Sequence, residues 1–193
     1  AILLSRQRST TVPSKPMIAR ARRGAYDELY TPAEAVRYLL PYIPSGTIWE
    51  SAPGTGNIVK LLQEAGHKVV WSVDDYFEWE PPRWDIQVTN PPFSIKAKWL
   101  ARANQLGKPW ALLLPVTALG SRACQLELDG CRALFLPRRI DFTGKRAPWF
   151  AVAWFCRGFP LPYQICFVKE TDSTNGPVTY ALRAAILETK ELK

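Results

Sequence analysis

The sequence predicts a mixed α/β fold in one compact domain, and three features of the chain point to it. Residues 47–75 read as a strand, a glycine-containing turn, a helix and a second strand. A further apolar run, DIQVT, ends at two adjacent prolines. The later runs CRALFLP and PWFAVAWFC are separated by a polar stretch, which is typical of two antiparallel strands. With 193 residues and 47% hydrophobic composition, the chain can bury the core of such a sheet.

The helix of the β-α-β unit is defined by apolar residues at helical spacing. These residues are Ile58, Leu61, Leu62 and Ala65. Gly66 is expected to end the helix, and residues 69–73 form the next buried strand.

An earlier helix is predicted to begin in the stretch YTPAEAVRYLL. Thr31 can serve as the N-cap, Pro32 suits the first helical position, and Glu34 completes a capping box. The apolar face of this helix consists of Val36, Leu39, Leu40 and Ile43.

Basic residues are concentrated near the beginning of the sequence. Residues 1–24 contain six arginines and lysines and no acidic residue, which leaves +2 of the net charge of +8 for the rest. We expect residues 1–25 to form a basic, poorly ordered arm. Such an arm could bind nucleic acid, could be the remnant of an organelle transit peptide, or could only add solubility.

The composition argues against a membrane protein and against a metal site. No apolar run approaches the ~20 residues that span a membrane, so we expect no membrane partner. The four cysteines show no CxxC pairing, and only His67 could join them as a nitrogen ligand. We expect no bound metal and four reduced, buried thiols.

The turn after the first strand carries residues that suit a ligand. Glu50 ends the strand, and Gly54 and Gly56 allow the backbone to approach a bound molecule closely. The pattern is neither a Walker motif nor a complete dinucleotide fingerprint, so a tight turn without a ligand is an equal alternative. Asp74 and Asp75 favour the ligand, because a carboxylate after the second strand can hold a ribose.

The stretch Asn90–Phe93, with the sequence NPPF, predicts a stiff corner at the end of a strand. Its two prolines remove two backbone donors and fix two φ angles, so neither a sheet ladder nor a helix can continue through it. An asparagine carboxamide and an aromatic ring on such a corner suit a flat, polar ligand.

Taken in order, the segments YTP, ESAPGTG, VDD and TNPPF resemble the S-adenosylmethionine-dependent DNA adenine-N6 methyltransferases of the small phage and bacterial type. The resemblance covers roughly residues 26–159, and Asn90–Phe93 is its most specific element. It implies a Rossmann-like class I methyltransferase sheet with an antiparallel hairpin at its C-terminal end. It also implies S-adenosylmethionine as the cofactor and nucleic acid as the partner, DNA rather than RNA.

The same resemblance assigns roles to individual residues. Those implied to lie beside the cofactor are Tyr30, Thr31 and Pro32. Those implied to cradle its amino-acid part are Glu50, Gly54 and Gly56, while Asp74 would hold its ribose. The implied catalytic corner consists of Asn90, Pro91, Pro92 and Phe93. There the Asn90 side-chain oxygen and the Pro91 carbonyl would accept the adenine N–H groups, and Phe93 would stack on the base.

Two departures from the family pattern stand out. Ser51 follows Glu50 where the family has a proline after the acid. Only eleven residues, 75–85, separate the second strand from the strand that leads to the corner, so one sheet element is expected to be shortened or missing. Glu78 or Phe77 could replace the contact that this element would supply.

A second basic region, PRRIDFTGKRAPWF, connects the two later strands. Its basic residues, Arg138, Arg139, Lys145 and Arg146, alternate with Phe142 and Trp149 in the mixture expected of a nucleic-acid-binding surface. An ordinary hairpin with a solvated turn is an equal alternative.

The resemblance, together with these features, implies methyl transfer to the N6 amine of adenine in DNA. Two alternatives stay open: an RNA adenine-N6 methyltransferase, and a non-catalytic nucleic-acid-binding subunit that retains the fold. The domain is expected over residues 26–170, with residues 171–193 as an extension that is helical near its end. We expect the protein in the cytoplasm of a bacterial host or phage-infected cell, or in an organelle if the arm is a transit-peptide remnant.

Overall fold

One sheet forms the centre of the protein. A computed structural model describes residues 31–142, 149–169 and 178–181. Within them, eight strands lie in the spatial order β2-β1-β3-β4-β6-β5-β7-β8. The strands are β1 (Ile48–Glu50), β2 (Val69–Trp71), β3 (Ile86–Thr89), β4 (Trp110–Pro115), β5 (Arg132–Phe135), β6 (Val152–Arg157), β7 (Ile165–Lys169) and β8 (Val178–Ala181).

Helices pack on both faces of this sheet. The α-helices of the described residues are α1 (Ala33–Arg37), α2 (Asn57–Glu64), α3 (Lys96–Gln105) and α4 (Arg122–Leu128). Apolar residues of α1 and α2 share one buried cluster with the sheet, while α3 and α4 contribute to a second cluster. The Trp154 indole donates a hydrogen bond of 2.8 Å to the Ala35 carbonyl and so ties α1 to β6.

The strand directions divide the sheet into two halves. Strands β2, β1, β3 and β4 are parallel. Strand β6 runs antiparallel to both β4 and β5, which it separates. The predicted α/β class with an antiparallel hairpin toward the C-terminal end is therefore confirmed. Strand β7 is parallel to β5, and β8 is antiparallel to β7.

The predicted shortening of the sheet is also confirmed. Residues 72–85, between β2 and β3, contain neither a strand nor a helix. A cluster of four buried aromatic residues packs beside β1 instead, namely Trp49, Tyr76, Trp84 and Trp99. The rings of Tyr76 and Trp99 are stacked with centroids 3.8 Å apart. The rings thus bury one another in an apolar cluster of their own.

The predicted capping box at the first helix is wrong. The N-cap is Pro32, and no side chain caps the helix. The carboxylate of Glu34 accepts a hydrogen bond of 2.9 Å from Arg138 instead. The helix is also shorter than expected, because Pro41 lacks a backbone donor and the chain continues as a 3-10 turn over Leu40–Tyr42. The helix of the β-α-β unit matches its prediction, since Gly66 follows its end with φ of 88°.

Several expectations concern other parts of the chain. The basic arm, residues 1–25, lies outside the described residues, as does the helix expected near the end of residues 171–193. Strand β8 falls within 171–193 and pairs with β7. None of the helices in the described ranges is long and apolar enough to cross a membrane.

Candidate functional site

The site lies where β1 and β3 end. These neighbouring strands are parallel, so their carboxyl ends meet at one edge of the sheet. Glu50 is the last residue of β1 and Thr89 the last residue of β3. The Thr89 hydroxyl donates a short hydrogen bond to Oε1 of Glu50. This bond holds the glycine turn that follows β1 beside the corner that follows β3.

A cleft with an open volume of about 250 Å³ lies between the turn and the corner. Its lining residues are Thr31, Ala52, Pro53, Gly54, Thr55, Asn57, Ile58 and Asn90. The cleft therefore brings together three of the residues singled out in the sequence: Thr31, Gly54 and Asn90.

The two glycines of the turn adopt conformations that suit glycine. Gly54 has φ of 52° and Gly56 has φ of 85°. The Gly56 N–H donates a hydrogen bond of 2.6 Å to the Pro53 carbonyl, and Gly56 is the N-cap of α2. Because side chains disfavour this left-handed region, the turn can be this tight only with glycines at these positions.

Glu50 is a fully buried carboxyl group at the base of the turn. Burial raises the pKa of Glu50 to about 8, although hydrogen bonds from Thr89 and the Ala52 N–H oppose the shift. The Ala52 N–H lies 2.9 Å from Oε1. The other oxygen, Oε2, is buried and has no hydrogen-bond partner among the described residues. Such an oxygen is available to a ligand, as a donor while the carboxyl is protonated and as an acceptor once it is ionised.

A buried polar network beneath the turn was not anticipated from the sequence. The Gln87 amide donates a hydrogen bond of 2.7 Å to Ser51 Oγ, and the Tyr76 hydroxyl donates one of 3.3 Å to Gln87 Oε1. Gln87 is only 1% exposed. The available signal was a glutamine inside the apolar run DIQVT, because a buried amide requires partners of its own. Asn57, which lines the cleft and donates to the Thr31 carbonyl at 3.3 Å, was likewise missed.

The corner has the stiff geometry that its prolines dictate. Strand β3 ends at Thr89, Pro91 is buried, and a 3-10 turn begins at Phe93. The half-buried Phe93 ring meets the edges of two other rings, Phe142 at 6.4 Å and Phe150 at 5.9 Å between centroids. Phe142 is 6% exposed. It therefore supports Phe93 and does not belong to an exposed stacking surface.

The two aspartates after β2 differ in their surroundings. Asp75 organises a turn, since its Oδ1 accepts the Phe77 N–H at 2.9 Å and its carbonyl accepts the N–H groups of Glu78 and Trp79. Asp74 is exposed and is not among the residues that line the cleft. Phe77 is 38% exposed and packs edge-on against Trp99, beside the same turn.

The basic residues of the second region are only partly described. Arg138 is engaged with Glu34 across 2.9 Å. Arg139 is exposed, and its guanidinium donates to the Trp149 carbonyl at 3.5 Å. The Trp149 side chain is 77% exposed. Lys145 and Arg146, like Tyr30, lie outside the described residues.

All four cysteines are free and buried. In residues 31–142, 149–169 and 178–181, no three side chains of His, Cys, Asp or Glu come together in an arrangement that could hold a metal ion.

Comparisons with known proteins give distant structural similarities. No protein-family model and no curated protein sequence matches the chain. A dimethyladenosine transferase from Plasmodium falciparum aligns with a TM-score of 0.45 and 14% identity, over 66% of this chain and 62% of that one. The 23S rRNA methyltransferase ErmE aligns with a TM-score of 0.44 and 13% identity, over 65% of this chain and 66% of that one. The aligned region is less than two thirds of each of those chains, and a likeness this distant assigns no activity.

Proposed function

We propose that the protein transfers a methyl group from S-adenosylmethionine to the N6 amine of adenine in DNA. One observation carries the proposal: the glycine turn after β1 and the Asn-Pro-Pro-Phe corner after β3 border the same cleft. A cofactor held by the turn would therefore lie against the corner. In an open parallel sheet, the carboxyl ends of the strands are also where ligands bind.

The residues of the turn fit the amino-acid part of the cofactor. The unpartnered Oε2 of Glu50 would accept a hydrogen bond from its ammonium group, whose positive charge would favour loss of the proton that burial holds on the carboxyl. The positive φ angles of Gly54 and Gly56 keep the backbone of the turn open to close approach. Asp74 follows the neighbouring strand β2 and is the proposed partner of the ribose hydroxyls. When bound, the cofactor supplies a methyl group activated by its sulfonium.

The corner fits the amine that receives the methyl group. The N6 lone pair of adenine is delocalised into the ring, so acceptors that hold its N–H groups make the nitrogen a better nucleophile. We assign that role to the Asn90 side-chain oxygen and the Pro91 carbonyl. Phe93, supported by two neighbouring rings, would pack against the base. The contribution of the protein would then be alignment, and the proton that N6 gives up on methylation would pass to water, so no histidine or cysteine is required.

The proposal requires the target base to leave its stack. An exocyclic amine inside a duplex cannot reach a corner recessed beside a cleft, so a paired adenine must be flipped out. Arg139 and the basic residues outside the described ranges are the proposed phosphate contacts that hold the strand meanwhile.

Product analysis tests the function directly. The protein is incubated with labelled S-adenosylmethionine and unmethylated DNA or RNA, the polymers are digested, and the labelled nucleoside is identified. Label in N6-methyldeoxyadenosine is the expected result. Label only in RNA would mean that the substrate is RNA and not DNA. Label in N4-methylcytosine would refute adenine as the target base.

A calorimetric titration with S-adenosylmethionine accompanies the product analysis. Binding of the cofactor without label in either polymer would refute the proposed substrate while leaving the cofactor site in place. Absence of both binding and label would favour a non-catalytic subunit. The Asn90→Ala variant serves as the matched control for background methylation.

A further inference from the structure

We propose that the exposed indole of Trp149 is a second nucleobase site, which stacks on an unpaired base next to the target in the same strand. This inference rests on the proposed function, because it takes the substrate to be a nucleic acid. It adds a residue that binds the strand without touching the reacting amine. The ligand class is any purine or pyrimidine base with a free face, in DNA or RNA.

The first observation is the exposure of Trp149. At 77% it is the most exposed of the large hydrophobic side chains in the described residues. Tryptophan is highly buried on average, so an indole this exposed presents an unusually large apolar surface to a ligand. A base offers a flat apolar face of matching size, and aromatic stacking tolerates any base because each has a π-face.

The second observation is a line of rings that joins Trp149 to the corner. Trp149 meets Phe150 edge-on with centroids 5.6 Å apart, and Phe150 meets Phe93 at 5.9 Å. Phe93 belongs to the corner proposed to hold the target base. The exposed indole is therefore only two ring contacts away from the reacting position, which suits a neighbouring nucleotide of the same strand.

The third observation is a positive charge beside the indole. Arg139 lies against the Trp149 backbone, with its Nη1 atom 3.5 Å from the carbonyl oxygen, and its side chain is exposed. A phosphate that links two stacked nucleotides would meet this guanidinium. Arg138 is less suited to that role because it pairs with Glu34.

The substrate must be unpaired around the target for this site to work. Inside a duplex, both faces of a base are covered by its stacked neighbours, so an indole at the protein surface cannot reach one of them. We infer that the protein selects single-stranded or locally opened segments, and that it does so with little dependence on the sequence of the flanking base.

The test measures binding of oligonucleotides without the cofactor. Labelled single strands of about 12 nucleotides, a length within the site sizes of single-strand-binding proteins, carry one adenine and are made as DNA and as RNA. Trp149→Ala should weaken binding of the single strand roughly 5- to 150-fold, equivalent to about 1–3 kcal/mol, while Trp149→Phe should retain most of the affinity. Tyr163→Ala is the matched control, because Tyr163 is 50% exposed and follows the other end of β6.

An abasic nucleotide beside the adenine identifies the partner of the indole. Removing that base should weaken binding to the wild type but cause no further loss in Trp149→Ala, as a double-mutant cycle requires. The inference is overturned by any of three results: unchanged binding by Trp149→Ala, equal abasic losses in both proteins, or an equal effect of Trp149→Ala on a fully paired duplex.

The outcomes separate this inference from the proposed function. If the wild type binds no oligonucleotide, the base site is refuted, whatever the cofactor titration gives. If Trp149→Ala weakens binding but the product analysis finds no methylated nucleoside, the proposed base site is supported and the proposed methyltransferase activity is refuted. If methylation is normal and Trp149→Ala binds oligonucleotides as tightly as the wild type, the proposed activity is supported and the proposed base site is refuted.

Discussion

Gln87 donates a hydrogen bond of 2.7 Å to the hydroxyl of Ser51, and both side chains are buried. The bond ties β3, which leads to the corner, to the residue that opens the glycine turn after β1. The methyltransferases that the sequence resembles have a proline at the position of Ser51, and a proline has no side-chain oxygen to accept the bond. The serine is therefore part of a different way of fixing the turn, completed by the Tyr76 hydroxyl on the other side of Gln87.

The corner predicts a specific kinetic defect. Asn90→Ala should lower the rate of methyl transfer by roughly 10²- to 10³-fold, about 2.7–4 kcal/mol, by analogy with the loss of one preorganised hydrogen-bonding group. The dissociation constant of S-adenosylmethionine should change little, so calorimetry separates the two effects. Ser94→Ala, at an exposed residue of the next turn, is the control. Near-normal turnover of Asn90→Ala would remove Asn90 from the mechanism.

Burial of Glu50 predicts how stability depends on pH. The carboxyl has an ordinary pKa of 4.5 in the unfolded chain and a pKa of about 8 in the folded protein. Between these values the folded state holds a proton that the unfolded state has lost. The free energy of unfolding should therefore fall as pH rises through this window, by up to about 1.4 kcal/mol per pH unit from this group.

Glu50→Gln should remove that dependence, since a neutral amide can still accept from Thr89 and the Ala52 N–H. Urea unfolding at about pH 5.5 and about pH 7.5 measures the free energy of unfolding of both proteins. The stability of the variant relative to the wild type should increase as pH rises. Glu64→Gln, at an exposed carboxylate of α2, should follow the wild type. If the free energy of unfolding changes with pH equally in the wild type and in Glu50→Gln, the buried carboxyl does not retain its proton.

The two aspartates after β2 should respond differently to substitution. Asp74→Ala should weaken binding of S-adenosylmethionine roughly 10- to 150-fold, the range for a lost hydrogen bond to a charged group. Asp75→Ala should mainly lower the free energy of unfolding, because Asp75 caps the turn at Phe77. Calorimetry for each variant, with a urea unfolding curve, distinguishes them. An unchanged dissociation constant for Asp74→Ala would place the ribose contact elsewhere.

The buried aromatic cluster beside β1 should contribute strongly to the free energy of unfolding. Trp99 is 4% exposed and stacks on Tyr76, so Trp99→Ala should lower the free energy of unfolding by about 3–5 kcal/mol. Trp99→Phe should cost less, because it keeps a ring and also removes a buried indole N–H that has no partner among the described residues. Equal losses for the two variants would show that the stacked ring contributes little.

The features that local physics dictates were predictable from the sequence. The helical spacing of Ile58 and Leu62, with Gly66 after them, defined α2, because an amphipathic helix must present one apolar face to a sheet. The two prolines defined the corner, because they exclude both regular structures. The missing sheet element followed from a count of residues, since the eleven residues 75–85 are too few for a helix and a strand.

The features that depend on distant partners were not predictable in this way. Glu34 has the right spacing for a capping box, yet Arg138 lies 104 residues further on and pairs with it. The role of Gln87 depends on its hydrogen bonds with Ser51 and Tyr76, which are distant in the sequence. Phe142 is buried and packs against Phe93. Each outcome depends on which strands become neighbours, and short-range spacing contains no information about that.

The placement of β6 has a consequence for how the chain is made. Strand β6 lies between β4 and β5 although it follows both in the sequence, and among the described strands β5 pairs with β6 and the still later β7. During synthesis, β4 can join the parallel half as soon as it emerges, whereas β5 joins the sheet only through β6, which pairs with β4 over six residues. A nascent chain that stalls before Val152 leaves one edge of β4 and both edges of β5 without a partner, and open strand edges promote pairing with other chains. Synthesis of β6 therefore covers the open edge of β4 and gives β5 its first partner, which lowers the risk of aggregation.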